Sequence, residues 1–217
     1  MLDNATNRTM MVDTQVRPSD VTKFPIIDAM LSVPREAYVP QSKRNVAYAD
    51  GHIDLEAGRV LLEPRTFAKM LDALDIQRSD VILDVGCGLG YSAAVLAHMA
   101  DVVVALEENE TLARDAEAAL SEQGVDNAVV VTGPLVMGAP KAGPYDVICV
   151  EGRVSDVPED LLAQLKEGGR ILAIFTDTAP GEARLGLKSN GKVSWGLAFN
   201  ASAPVLPGFG TEPVFSL

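Results

Sequence analysis

An α/β fold, built on a mostly parallel doubly wound sheet with an N-terminal helical cap and a C-terminal antiparallel hairpin, follows from three features of the sequence. Short Val/Ile/Leu runs alternate with helical segments from Val81 to Asp177, the pattern of parallel strands covered on both faces. A glycine loop within "LDVGCGLGYSAA", Leu83 to Ala94, joins the first of those strands to the first helix. In such folds that crossover lies at the carboxyl edge of the sheet, where ligands bind. Asn190-Gly191 stands between "ARLGLKS" and "KVSWGLAF", and Asn-Gly between alternating stretches is a strong hairpin signal.

The elements follow in order. In "SDVTKFPIIDAMLSVPREAYVP" the apolar residues Ile26, Ile27, Met30 and Leu31 have helical spacing, and Pro34 and Pro40 punctuate the exit. "RTFAKMLDALDI" places Phe67, Met70, Leu71 and Leu74 on one face of a second helix. "VILDV" is the first strand, "YSAAVLAHMA" the helix after the loop, and "VVVAL" the second strand. "ETLARDAEAALSEQG" is an amphipathic helix stopped at Gly124. "AVVVTG" and "YDVICVEG" are further strands; "PEDLLAQLKEGG" reads as a helix with a glycine stop, feeding the strand "RILAIFTD". The Pro/Gly-rich tail "SAPVLPGFGTEPVFSL" is expected to lie extended over the surface. Residues 1–78 read as a cap and substrate-side segment, and residues 79–217 as the ligand-binding α/β unit with its hairpin and tail.

Composition narrows the function classes. The formal net charge is −12 over 217 residues, which disfavours nucleic acid as a partner, because phosphate-backbone affinity rests on Lys and Arg. No stretch approaches the roughly 18 apolar residues of a membrane span, and the N-terminus is polar, without the apolar core of a signal peptide. A soluble cytoplasmic protein is expected. Cys87 and Cys149 sit in apolar stretches and do not suggest a disulfide scaffold. The two cysteines and two histidines show no metal-ligand spacing. Oligomeric state is not legible.

The loop glycines are Gly86, Gly88 and Gly90, with Asp84 two residues ahead. A dinucleotide fingerprint needs G-x-G-x-x-G, and its last glycine would fall on Tyr91. Glu107, at the end of the second strand, suits a ribose diol, a feature shared with dinucleotide sites. A glycine-rich turn without a ligand is the plain structural alternative.

The D-x-G-x-G-x-G pattern resembles the first motif of class I S-adenosylmethionine-dependent methyltransferases, which share a Rossmann-like fold. "AMLSVPREAYVP", then "AYAD", then the G-x-x-x-x-x-P segment Gly58–Pro64, then "DVGCGLGYSAAVLA" is similar to the protein-L-isoaspartate O-methyltransferase family. "YDVICVEG" and "VPEDLLAQLKEGGRIL" extend the likeness, which runs from Val12 to Ile174. The resemblance implies methyl transfer from S-adenosylmethionine to the isoaspartyl carboxylate of damaged proteins, a repair reaction that leaves S-adenosylhomocysteine. It implies cofactor contacts from Asp84, Gly86, Cys87, Gly88, Gly90, Tyr91, Glu107, Gly133, Pro134 and Leu135. A carboxylate is already ionised near neutral pH, so positioning and water exclusion carry the rate.

Three departures touch the chemistry. Where the family has threonine and serine in the segment before the glycine loop, this chain has Val60 and Leu62, and Glu63 replaces a glutamine. A carboxylate substrate beside Glu63 meets like-charge repulsion. Pro134 stands where the family has an aspartate near adenine, leaving Leu135 and Val136 to pack there. Glu151 and Arg153 replace small residues at the end of the fourth strand; they read either as a surface ion pair or as groups facing the substrate. His52 is a candidate general base, and the catalytic group itself is not identified. The acceptor is then an isoaspartyl peptide or protein, or a different molecule taken by a diverged member. A non-catalytic S-adenosylmethionine- or nucleotide-binding interaction protein and, more remotely, an NAD-dependent oxidoreductase are the rival classes.

Overall fold

The computed structural model describes residues 3–56, 58–178 and 180–210. The cap begins with α1 (Asn4–Met11), whose N-cap Asp3 accepts a hydrogen bond from the Thr6 amide. It runs on through a π-helical turn, Val12–Val16, and a 3-10 turn, Arg17–Ser19. The helix α2 (Phe24–Ser32) opens with Pro25 in its first turn, and 3-10 turns at Arg35–Tyr38 and Gln41–Val46 follow. Strands β1 (Ile53–Asp54) and β2 (Val60–Leu61) form a small antiparallel hairpin ahead of α3 (Pro64–Leu74). The α3 helix buries Phe67, Met70, Leu71 and Leu74, the face its spacing predicts.

The main sheet contains β3 (Val81–Val85), β4 (Val102–Glu107), β5 (Ala128–Thr132), β6 (Tyr145–Val154), β7 (Leu165–Phe175), β8 (Glu182–Ser189) and β9 (Lys192–Asn200). Their spatial order is β5-β4-β3-β6-β7-β8-β9. The pairings through β7 are parallel and the last two antiparallel. The order reverses between β3 and β6, so the topological switch point lies where β3 ends in the glycine loop. Helices α4 (Tyr91–Met99) and α5 (Glu110–Glu122) connect these strands, and the short α6 (Glu159–Ala163) precedes β7.

The core lies on both sheet faces. One cluster joins cap residues such as Met11, Met30, Phe67 and Leu71 to Ile82, Val103 and Leu172 of the sheet. The other gathers Leu83, Val150, Leu161, Ile171 and the tail residues Leu206 and Phe209. Arg35 and Tyr38 of "VPREAYVP" are buried structural residues. The Arg35 guanidinium donates to the carbonyls of Ala47 (2.8 Å) and Leu62 (2.7 Å) and lies 4.7 Å from the centre of the Tyr91 ring. One cation thus fastens the chain on both sides of the β1–β2 hairpin to the cap.

Two expectations are corrected. The helix over Pro158–Gly169 ends at Ala163, and Leu165–Gly169 belong to β7. The Gln164 side chain ends the helix by donating to the carbonyls of Met137 and Asp160, and Leu165 takes register with Tyr145. The tail is extended but not superficial. Val205 bridges Arg153 in parallel, and Leu206 and Phe209 are buried. Residues 211–217 of the tail lie outside the described residues. Trp195 is half-buried, with its ring 5.0 Å from that of Phe175.

Leu71 is fully buried, whereas Leu197 on the edge strand is 63% exposed. Urea unfolding should show Leu71→Ala destabilised by about 2–5 kcal/mol, and Leu197→Ala changed by no more than about 0.5 kcal/mol.

Candidate functional site

The glycine loop turns the chain sharply from β3 into α4. Gly86, Gly88 and Gly90 all have positive φ (87°, 57° and 92°), a conformation that L side chains adopt only at a cost. Their bare faces meet different neighbours. A Cβ on Gly90 would touch Ala116 and Leu120, so this glycine lets α5 pack closely. A Cβ on Gly86 would lie 2.5 Å from Arg59 Nη2, and one on Gly88 would lie 2.8 Å from Leu55 Cδ1. The space left by the first two glycines is therefore filled by side chains flanking the β1–β2 turn.

Glu107 is the anchor of this edge. Its carboxylate accepts from Arg59 Nη1 at 2.9 and 3.0 Å, from the Gly88 amide at 2.9 Å, and from the amides of Glu108 and Asn109 at 2.9 and 3.1 Å. Arg59 Nη2 donates to the Gly86 carbonyl at 2.6 Å. Both side chains of the pair are nearly inaccessible, 3% and 1% exposed. Removing one member of such a pair leaves an uncompensated buried charge, a loss of roughly 3–5 kcal/mol. Arg59 was not picked out by sequence reasoning, because a single arginine in the turn ahead of a two-residue strand carries no periodic signal. Its one legible trace is a cation beside Gly58, in the segment expected to face an acid.

Asp84 and Glu151 are also buried at this edge, on neighbouring strands where Asp84 registers with Cys149. The Ser92 hydroxyl donates to Asp84 Oδ2 at 2.6 Å, while Oδ1 has no partner. The Cys149 thiol donates to Glu151 Oε1 at 3.1 Å. Burial, then the charge of Glu151, pushes the Asp84 carboxyl well above its usual range. Burial pushes Glu151 up to about 7. Burial likewise raises the thiols of Cys87 and Cys149, which disfavours the reactive thiolate.

The remaining candidates fall into three groups. Gly133 donates its amide to the Glu107 carbonyl, Leu135 is buried with its amide 3.5 Å from Glu108 Oε2, and Pro134 is exposed, so this turn borders the same edge. Tyr91 points away, into the core between Tyr38 and Phe67. On the substrate side, Leu62 is 1% exposed. The Glu63 carboxylate accepts from the Thr66 hydroxyl at the start of α3. His52 accepts from the Glu63 amide at Nδ1 (2.9 Å), and its Nε2 lies 2.8 Å from the Ser202 carbonyl. That pattern fixes the neutral Nε2–H tautomer and leaves no ring nitrogen free. Arg153 sits in β6 against the tail, its amide bonded to the Pro204 carbonyl. No ion pair joins it to Glu151 among the described residues.

Asp84 and Glu151 both make stability depend on pH in the same direction, and Glu151 gives the readable window. A folded-state carboxyl raised from 4.5 to about 7 binds its proton more tightly in the folded than in the unfolded chain. Stability is therefore lost as pH rises through that window. Thermal melts at pH 5 and pH 8 should show Glu151→Gln gaining stability relative to the parent at the higher pH, by an amount on the order of 3 kcal/mol.

Comparisons with known proteins agree with this architecture. The family model described as Protein-L-isoaspartate(D-aspartate) O-methyltransferase (PCMT) matches residues 6–194. The chain is 36% identical to the protein-L-isoaspartate O-methyltransferase of Methylorubrum extorquens (strain PA1), covering 98% of this chain and 94% of that protein. It is 40% identical to the enzyme of that name from Rhodopseudomonas palustris (strain ATCC BAA-98 / CGA009), over 75% of this chain and 74% of the relative. A solved protein-L-isoaspartate O-methyltransferase superposes with a TM-score of 0.82 at 24% identity, over 95% of this chain and 66%, just under two thirds, of the other. A Plasmodium falciparum structure described as a protein-L-isoaspartate O-methyltransferase in complex with S-adenosyl-L-homocysteine superposes with a TM-score of 0.78 at 18% identity, over 95% of this chain and 99% of the other. By sequence along almost its whole length, and by a sheet of the same architecture, the chain belongs to the protein-L-isoaspartate(D-aspartate) O-methyltransferase family of S-adenosylmethionine-dependent, class I methyltransferases.

Proposed function

We propose that the chain methylates a carboxylate of isoaspartyl residues in peptides or proteins, with S-adenosylmethionine as donor, through an acceptor side altered from the family's usual form. The family match over residues 6–194 carries this reading. The placement of Asp84, the glycine loop and Glu107 on one sheet edge supports it. As folded here, side chains of the protein itself occupy part of the donor cradle. Arg59 holds the Glu107 carboxylate that suits a ribose diol, and Leu55 and Leu206 cover the loop glycines.

The polar groups of this edge favour a second reading, in which the acceptor is uncharged or cationic. The hydroxyl positions of the segment are Val60 and Leu62. The Ser92 and Thr66 hydroxyls already serve Asp84 and Glu63, and Arg35 and Arg59 are held by carbonyls and Glu107. These donors are therefore already engaged within the protein, whereas an incoming carboxylate would need donors to receive it.

Methyl-labelled S-adenosylmethionine should be offered with an isoaspartyl peptide, its aspartyl isomer and an amine-bearing peptide. Base-labile label on the isoaspartyl peptide alone is the expected result. Stable label on the amine peptide would favour the second acceptor, and no label on any of them would sink the enzyme reading. Restoring a hydroxyl by Leu62→Ser should not produce a better enzyme. Because Leu62 is buried, the change should cost about 3 kcal/mol of stability, measurable by urea titration.

A further inference from the structure

We propose that Arg59 is an internal occupant of the ribose-diol site, so that the adenosyl cofactor enters only when Arg59 leaves Glu107. The inference rests on the reading of this edge as an S-adenosylmethionine site and adds a competitor built into the chain. A ribose diol offers two hydroxyl donors to a carboxylate. Here Arg59 Nη1 already spans both Glu107 oxygens, at 2.9 and 3.0 Å. Nη2 takes the Gly86 carbonyl at 2.6 Å, against the bare face of Gly86. Arg59 and Glu107 have the geometry of a satisfied buried pair, so charge-assisted hydrogen bonds must be broken before a ligand can use the carboxylate.

The packing around the pair narrows the same space to a cavity of about 260 Å³ lined by Arg59, Glu107, Glu108, Asn109 and Pro207. Leu55 lies over Gly88, and Leu206 of the tail lies over Gly86 and Gly152. Loss of Arg59 does not strip Glu107 of partners, because the Gly88, Glu108 and Asn109 amides still donate to it. The backbone amides keep the carboxylate oriented, while its charge, uncompensated once Arg59 leaves, favours the closed pair as the resting state.

Calorimetric titration of the full chain with S-adenosylmethionine, as parent and as Arg59→Gln, tests the proposal. Glutamine keeps much of the side-chain length and removes the charge. The variant should bind at least tenfold more tightly. Equal or weaker binding by the variant overturns the competitor while leaving the cofactor reading intact. Absence of binding by both, with folding verified by circular dichroism, overturns the cofactor reading and the proposal together. A measurement on the parent alone covers a variant that fails to fold. The side-chain nitrogen resonances of Arg59 should shift as S-adenosylmethionine saturates the parent, and unchanged resonances in the saturated protein overturn the proposal.

Discussion

The Glu107 carboxylate holds together the parts of this molecule that come closest to chemistry. It closes the carboxyl end of β4, tethers the glycine loop through Gly88, caps the approach to α5 through two amides, and takes Arg59 from the segment ahead of the sheet. Four donors on one buried anion form a satisfied network. The arrangement is also demanding, since each of those segments has to arrive in register for the charge to be tolerated. The parallel pairing of β3 with β4, from Val81 opposite Val102 to Val85 opposite Leu106, delivers the loop to that position.

Much of this was legible in the sequence because it depends on local periodicity. The Val/Ile/Leu runs became β3 to β7, Asn190-Gly191 became the β8–β9 turn, and Phe67, Met70, Leu71 and Leu74 became the buried face of α3. Asp84, Gly86, Gly88 and Glu107 meet because strand–loop–helix order fixes where strand ends fall. The contacts made across large sequence distances were not legible. Arg59 reaches Glu107 over 48 residues, Arg35 reaches Leu62 over 27, and His52 meets the Ser202 carbonyl over 150. No periodicity encodes such pairs. Tyr91 shows the same limit from the other side, since its place after the loop suggested a ligand contact, whereas the ring packs into the cap with Tyr38 and Phe67.

The "VPREAYVP" stretch, which most narrowly marks the family resemblance, proves to be structural. Arg35 spends its hydrogen bonds on carbonyls of Ala47 and Leu62 and its flat face on Tyr91. A planar guanidinium with forked donors does this where a lysine ammonium would not. The segment that carries Arg59 is therefore fastened at its far ends by one arginine and at its middle by another. Arg35 holds Leu62 by its backbone carbonyl, so divergence of the Val60 and Leu62 side chains leaves that hydrogen bond available.

The tail beside β6 has a consequence for how the molecule comes into being. Val205 to Phe209 are made after β9, so the ribosome delivers every strand of the sheet before it delivers the residues that lie over Gly86 and Gly152. The loop glycine Gly86 and the residue that covers it are therefore separated by all the chain from β4 to β9, so the edge is closed by a long-range contact and not by a local one.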